Sequence, residues 1–220
     1  MRRFMLIAAA ALAILASAAR PSSAQDGRWE VRVRAVYLDP ENHSDAYRPL
    51  GIPADAIRIN GKWIPDLDVE YFFTPHWSGE LLLTYPQSQT VTLRHSVLGS
   101  PTVLGTFKHL PPTLLLKYDF LPEDAFQPYV GLGVNLTLIS DVHLTVPTVG
   151  SLQLDSTSVG PAAQAGFDYR LAPHWYFNMD LKWIMIRSDV KYRGIKISAA
   201  QLDPLLFGVG IGYRFGGETS

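Results

Sequence analysis

Residues Leu205 to Phe215, LLFGVGIGYRF, alternate so strictly that they admit one local structure. Side chains along an extended strand point to opposite faces with a period of two. Leu205, Phe207, Val209, Ile211, Tyr213 and Phe215 therefore share one face, and Leu206, Gly208, Gly210, Gly212 and Arg214 the other. One face is apolar throughout and ends in aromatics; the other is nearly bare. A soluble sandwich would bury the apolar face against a second sheet, whereas a membrane barrel would turn it toward lipid.

The remainder of the chain separates these two solutions. Seven further stretches alternate in the same way: Trp29 to Leu38, Lys62 to Phe73, Gly79 to Tyr85, roughly Leu110 to Phe120, Gln127 to Leu138, Ser158 to Arg170, and Tyr176 to about Asp189. Polar segments rich in Pro, Gly, Asn and Asp, such as Asp39 to Gly61, Pro86 to Thr106 and Ser140 to Thr157, read as long loops. They take turns with short connections at Thr74 to Trp77, Leu121 to Phe126 and Leu171 to Trp175. Both ends of the strand series then lie on the short-turn side. That asymmetry is the pattern of bacterial outer-membrane barrels, and a sandwich gives no reason for it. The predicted fold is all-β: an eight-stranded antiparallel transmembrane β-barrel over residues 25–220, with four long external loops and three short periplasmic turns. Two of the short turns nearly repeat, Tyr71-Phe72-Phe73-Thr74-Pro75-His76-Trp77 and Tyr169-Arg170-Leu171-Ala172-Pro173-His174-Trp175, and place aromatics at one membrane interface.

Composition narrows the remaining choices. Arg2 and Arg3, an apolar run from Phe4 to Ala16 and small residues up to Ala24 read as a secretory signal peptide over residues 1–24. Its removal takes Arg2, Arg3 and Arg20 and no acid, so the mature chain is net acidic and offers no basic patch for nucleic acid. Cysteine is absent, so an exported fold of this size is held by ladder hydrogen bonds and burial. A closed barrel manages that because every strand is paired.

If the apolar faces meet lipid, the opposite faces line the lumen. The candidate lining or ligand-contacting residues are Glu30, Arg32, Arg34, Asp66, Asp68, Glu70, Glu80, Leu82, Leu115, Lys117, Tyr129, Asn135, Asp180, Lys182 and Arg214. Two readings stay open. The interleaved charges form ion pairs that fill an interior just wide enough for its own side chains. Alternatively, Gly131, Gly133, Gly160, Gly166, Gly208, Gly210 and Gly212 project nothing inward and leave a narrow open passage.

Other chemistries find less support. Gly208-Val209-Gly210-Ile211-Gly212 alternates as a strand and lacks the strand-then-helix context of a phosphate-binding loop, so no cofactor is expected. His76 and His174 follow strands far apart around a ring and have no evident third ligand, so no metal site is expected. His43, His95, His109 and His143 lie in or beside the long loops, but no spacing fixes a nucleophile and its base, and the chain is not read as an enzyme.

Several separated motifs, in order, resemble the OmpW family of small outer-membrane proteins. They are Leu110-Pro111-Pro112-Thr113-Leu114, the run Pro128 to Thr137, Ala165-Gly166-Phe167-Asp168-Tyr169, Trp175-Tyr176-Phe177-Asn178-Met179, and Leu202-Asp203-Pro204 leading into Gly212-Tyr213-Arg214-Phe215. The resemblance implies an eight-stranded barrel in the Gram-negative outer membrane, with membrane lipid as surroundings and the barrel assembly machinery as a partner during insertion. It also implies a narrow, largely apolar lumen that admits small, mainly hydrophobic molecules. This chain departs from the family by continuing from Gly216 to Ser220 beyond its terminal aromatic, and by placing Lys182 at a lumen position. The alternative is a surface receptor that acts through its external loops around a filled lumen.

Overall fold

A computed structural model describes residues 27–46, 53–94, 102–146 and 150–216. The signal-peptide reading, His95 and residues 217–220 fall outside the described residues. The elements are all strands: β1 (Trp29–Asp39), β2 (His43–Ser44), β3 (Ile57–Ile59), β4 (Lys62–Phe72), β5 (Trp77–Leu83), β6 (Gln87–Leu93), β7 (Thr102–Leu110) and β8 (Thr113–Asp119). They continue as β9 (Phe126–Val146), β10 (Gly150–Leu154), β11 (Thr157–Ala172), β12 (Trp175–Ile184), β13 (Arg187–Tyr192), β14 (Ile195–Gln201) and β15 (Leu205–Phe215).

Eight of these close a ring. β1, β4, β5, β8, β9, β11, β12 and β15 pair antiparallel in that order, and β15 returns to β1 with Trp29 opposite Phe215 and Asp39 opposite Leu205. Every alternate residue of the ring points out, and the outside is apolar: Val33 is 64 % exposed, Leu132 71 % and Val159 63 %. Aliphatic side chains left exposed on neighbouring strands around the ring are compatible with a lipid solvent and not with water. Aromatic contacts band both ends of this wall. Trp29 meets Tyr71 at 4.7 Å, Trp77 meets Tyr118 at 4.9 Å and Trp175 meets Tyr213 at 5.0 Å near the short turns, while Tyr37 meets Trp63 at 5.4 Å at the far end. The wall between these bands spans the membrane.

The segments read as long loops are largely strand. β3, β6, β7, the last third of β9, β10, β13, β14 and β2 continue the wall outward into a second storey. Backbone and side-chain bonds close this storey where no ladder does: Asp55 N donates to Ser44 O at 2.9 Å, and Ile59 N to Asn42 Oδ1 at 2.6 Å. The sequence reading gave weight to the Pro, Gly and Asn punctuation and missed short alternations such as Ile57/Ile59, Val91/Leu93 and Leu144/Val146. These bury their side chains together as an apolar core.

Among the described residues the ladder also breaks where β4 and β5 give way to β3 and β6. β4 and β5 pair from Phe72–Ser78 up to Leu67–Leu83, and β3 and β6 resume at Ile59–Val91. Between these points the described contacts run through side chains: Thr84 Oγ1 donates to Pro65 O at 3.1 Å, Lys62 Nζ to Ser88 O at 2.7 Å, and Asn60 Oδ1 accepts from Thr90 N at 2.9 Å. Pro65 has no N–H to offer a partner strand, which makes this a natural site for a break.

A charge-filled lumen beneath an apolar storey

The inward face of the lower storey carries eight carboxylates, Glu30, Asp66, Asp68, Glu70, Glu80, Asp119, Asp168 and Asp180, with five cations, Arg32, Arg34, Lys117, Lys182 and Arg214, all buried. Five cations serve eight acids because each guanidinium is shared. Arg32 binds Glu30 at 2.8 Å, Asp168 at 3.0 Å and Glu80 at 3.1 Å, and also holds Glu70. Arg34 binds Asp66 and Asp180 at 2.6 Å each and Asp68 at 2.8 Å. Lys182 joins Glu80 at 3.1 Å to Asp180 at 3.5 Å.

Nearer the short turns the packing becomes aromatic as well as ionic. Lys117 Nζ lies 2.7 Å from Glu70 and 4.0 Å above the Tyr129 ring. Arg214 pairs with Glu30 at 2.8 Å while stacking between Phe72 and Tyr176, 4.2 and 4.1 Å away. A cation desolvated over an aromatic face gains from the ring quadrupole as well as from its carboxylate. The Tyr129 hydroxyl accepts from Asn178 Nδ2 at 2.9 Å, and the same Nδ2 reaches Asp168 at 2.8 Å. On the outward side of the charges, Leu82 and Leu115 join Val36, Ile64 and Leu206 as buried apolar cover. Asn135 donates to Thr113 Oγ1 at 2.9 Å and accepts from Thr137 Oγ1 at 2.6 Å. All fifteen sequence-selected residues are thus inward and buried, most of them in one continuous network.

The glycines play a different part from the one read in the sequence. An open passage does not follow from them: side chains from neighbouring strands fill the space beside Gly131, Gly208 and Gly212, and neighbouring backbone lies against Gly133 and Gly160. A Cβ on Gly210 would stand 2.5 Å from Arg34 Cγ, one on Gly212 3.0 Å from Arg32 Cγ, and one on Gly208 would strike the Asp180 carboxylate. The β15 glycines leave room for the ion pairs to cross the barrel.

Asp168, Gln164 and Asn178 are not among the residues selected from the sequence, although their alternation places all three on the inward face and the structure buries them there. The sequence reading also missed as inward residues Tyr176, which packs on Arg214 near the short turns, and Gln87, Gln89 and His109, whose burial depends on the outer storey. Glu30, Glu70 and Asp168 bring carboxylate oxygens within 4.8 Å of one another, but the position between them is held by the Arg32 guanidinium. His76 and His174 fasten neighbouring strands at the short turns, donating from Nδ1 to Asp119 O at 2.8 Å and to Arg214 O at 3.1 Å.

Above the charges, the second storey encloses an apolar cavity of about 40 Å³ among residues including Ile59, Val91, Phe107, Ile139, Leu152 and Val190. The barrel is therefore polar and packed where it crosses the membrane and apolar where it stands outside it. That is the reverse of a water-filled pore, whose lumen is polar and open.

Comparison with known proteins agrees with this architecture. The OmpW family model matches residues 25–215. Outer membrane protein W of Vibrio cholerae is 32 % identical over 214 residues, covering 93 % of this chain and 97 % of that protein. The dibenzothiophene metabolism operon protein PahQ of Pseudomonas aeruginosa is 26 % identical over 204 residues, covering 90 % of this chain and 93 % of its own length. The crystal structure of the outer membrane protein OprG from Pseudomonas aeruginosa superposes with a TM-score of 0.74 at 29 % identity, covering 88 % of this chain and 98 % of that one.

Proposed function

The chain belongs to the OmpW family and resides in the Gram-negative outer membrane, and from that premise we propose that it takes up small, mainly hydrophobic molecules through its outer storey and releases them sideways into the membrane. The observation that carries this reading is the stacking of an apolar cavity directly over a lumen closed by ion pairs. A solute that has entered the apolar storey meets buried charge below it, where an uncharged molecule gains nothing and displacing a paired ion costs several kcal/mol. The break between β4 and β6 is the weaker boundary, since three side-chain contacts stand there in place of a ladder. Trp63 and Tyr85, 58 % and 56 % exposed, flank that break on the outside and offer an apolar surface at the level of the outer leaflet. The cavity is smaller than an aromatic ring, so passage involves parting the outer hairpins. The name of the relative PahQ links that protein to the metabolism of an apolar aromatic compound, in keeping with such a solute.

The fifteen lumen residues then act as a stopper and scaffold, and any of them that touches solute does so at its upper margin, at Asp66, Leu82 or Asn135. No bond-making step is assigned to the chain. The test is paired. Purified barrels in planar bilayers should show no ion conductance, and outer-membrane vesicles containing them should take up a small apolar fluorophore faster than vesicles without them. Equal uptake in both vesicle preparations would sink the proposal.

A second reading, a receptor acting through the outer storey around a filled lumen, draws on the same packed charges. Replacing the β6–β7 and β13–β14 hairpins by short turns separates the two. A receptor loses its partner and shows no uptake before or after the change, whereas the conduit loses uptake.

A further inference from the structure

Just beneath the apolar cavity lies a group of buried polar atoms without partners. Both side-chain amide atoms of Gln89 and Nδ1 of His109 are shut off from solvent, and none has a hydrogen-bond partner among the described residues. Gln89 is fully buried and His109 nearly so. Gln89 sits opposite Phe107 in the β6–β7 ladder, two residues before Val91, and His109 sits opposite both Gln87 and Ile139. Val91, Phe107 and Ile139 line the cavity, and Gln89 and His109 adjoin them in the ladders on the membrane side of its wall. The Phe107 and His109 rings stand 6.0 Å apart.

Buried polar groups in folded proteins are nearly always paired, and a donor and an acceptor left unmet side by side call for an explanation. Gln87, the neighbour on the same face, is satisfied by Tyr85 O at 3.1 Å, so the strand can meet such needs locally. Gln89 and His109 do not line the cavity as it stands, but their unmet donor and acceptors are packed beside Val91, Phe107 and Ile139, which do. When the outer hairpins part to admit a solute, these groups join the apolar wall, which gives the mostly apolar lining with a few polar groups that fixes a ligand's orientation.

Resting on the uptake reading above, we propose that Gln89 and His109 form a polar handle that selects apolar molecules bearing one neutral hydrogen-bonding group, an alcohol or ketone, over hydrocarbons of the same size. The amide Nε2 donates to the ligand oxygen, Oε1 accepts from a hydroxyl, and His109 supplies the second contact. The ligand group is uncharged. Burial and the nearby Lys62 hold the His109 pKa down to about 4, so the imidazole is neutral and offers no counter-charge to an anion, while Lys62 disfavours a cation.

The test uses the full barrel in lipid nanodiscs, with empty nanodiscs correcting for partition into lipid. Affinities for 1-hexanol and n-hexane are read from shifts of the Val91 and Ile139 methyl resonances, in the native chain, in Gln89→Leu and in His109→Phe. The handle predicts that the alcohol-to-alkane affinity ratio falls about tenfold in Gln89→Leu, the scale of one lost hydrogen bond, and falls in His109→Phe. Both variants should remain folded, since an unmet amide is exchanged for an apolar group of similar size. A ratio that does not move in either variant overturns the handle and leaves uptake standing. A native barrel that binds neither probe overturns the uptake reading and the handle together. If Gln89→Leu unfolds, the amide has a structural partner and the handle is wrong at Gln89, with the His109→Phe ratio deciding the remainder.

Discussion

Gly210 faces Arg34 directly across the β1–β15 ladder, and a methyl group on it would come within 2.3 Å of Val33 O and 2.5 Å of Arg34 Cγ. The bare inward face of β15 is thus the mould into which the arginine chains are laid. Asp180 takes Arg34 from beyond Gly208, and Glu30 takes Arg32 beside Gly212.

Gly210→Ala should therefore destabilise the barrel by about 1 to 3 kcal/mol through overpacking. A reduced urea midpoint in liposomes, followed by tryptophan fluorescence, is the expected result. An unchanged midpoint would mean that the β1–β15 ladder has room for a methyl group beside Val33 and Arg34.

Arg32→Ala should be more damaging, because it leaves Glu30, Glu70, Glu80 and Asp168 buried around a missing cation. Breaking one partner out of a buried ionic cluster costs roughly 3 to 5 kcal/mol. Refolding yield in detergent, scored by the mobility difference between boiled and unboiled protein, should drop sharply. Arg32→Lys should recover part of it, since one ammonium cannot span four carboxylates.

Fastening the break between β4 and β6 should slow solute release without altering the fold. The chain has no cysteine, so Lys62→Cys with Ser88→Cys gives a clean pair for a reducible thiol crosslinker. Uptake of the apolar fluorophore should fall several-fold on crosslinking and return on reduction. Uptake that ignores the crosslink places the exit elsewhere.

The outer storey should lose stability in mild acid. His109 stands beyond the outer aromatic band, and burial together with Lys62 lowers its pKa from 6.5 to about 4. Between those values the unfolded chain takes up a proton that the folded chain refuses. The contribution is complete above pH 6.5, declines as pH falls toward 4, and then levels off. The full change is on the order of 3 kcal/mol. Amide hydrogen exchange in β6 and β7 should quicken across this window, and His109→Gln should flatten the response.

How much of this was legible in the sequence follows from the range of each interaction. Alternation is a property of neighbouring residues, so the eight membrane strands, their lipid-facing sides and the inward set of charges were readable from the chain alone. Even the motif Leu202-Asp203-Pro204 could be matched to a family without coordinates. The ion pairs were not readable, because Arg34 and Asp180 lie 146 residues apart and meet only once the stagger of the ladders sets which side chains share a height. The same stagger turned the glycines from empty wall into room for arginine. The outer storey was hidden for a related reason: pieces as short as Ile57–Ile59 are too brief to signal a strand, and gain their structure only when neighbouring strands bury an apolar core with them. Periodicity along one strand told each residue which way to face, and only the closed ring told it what it would face.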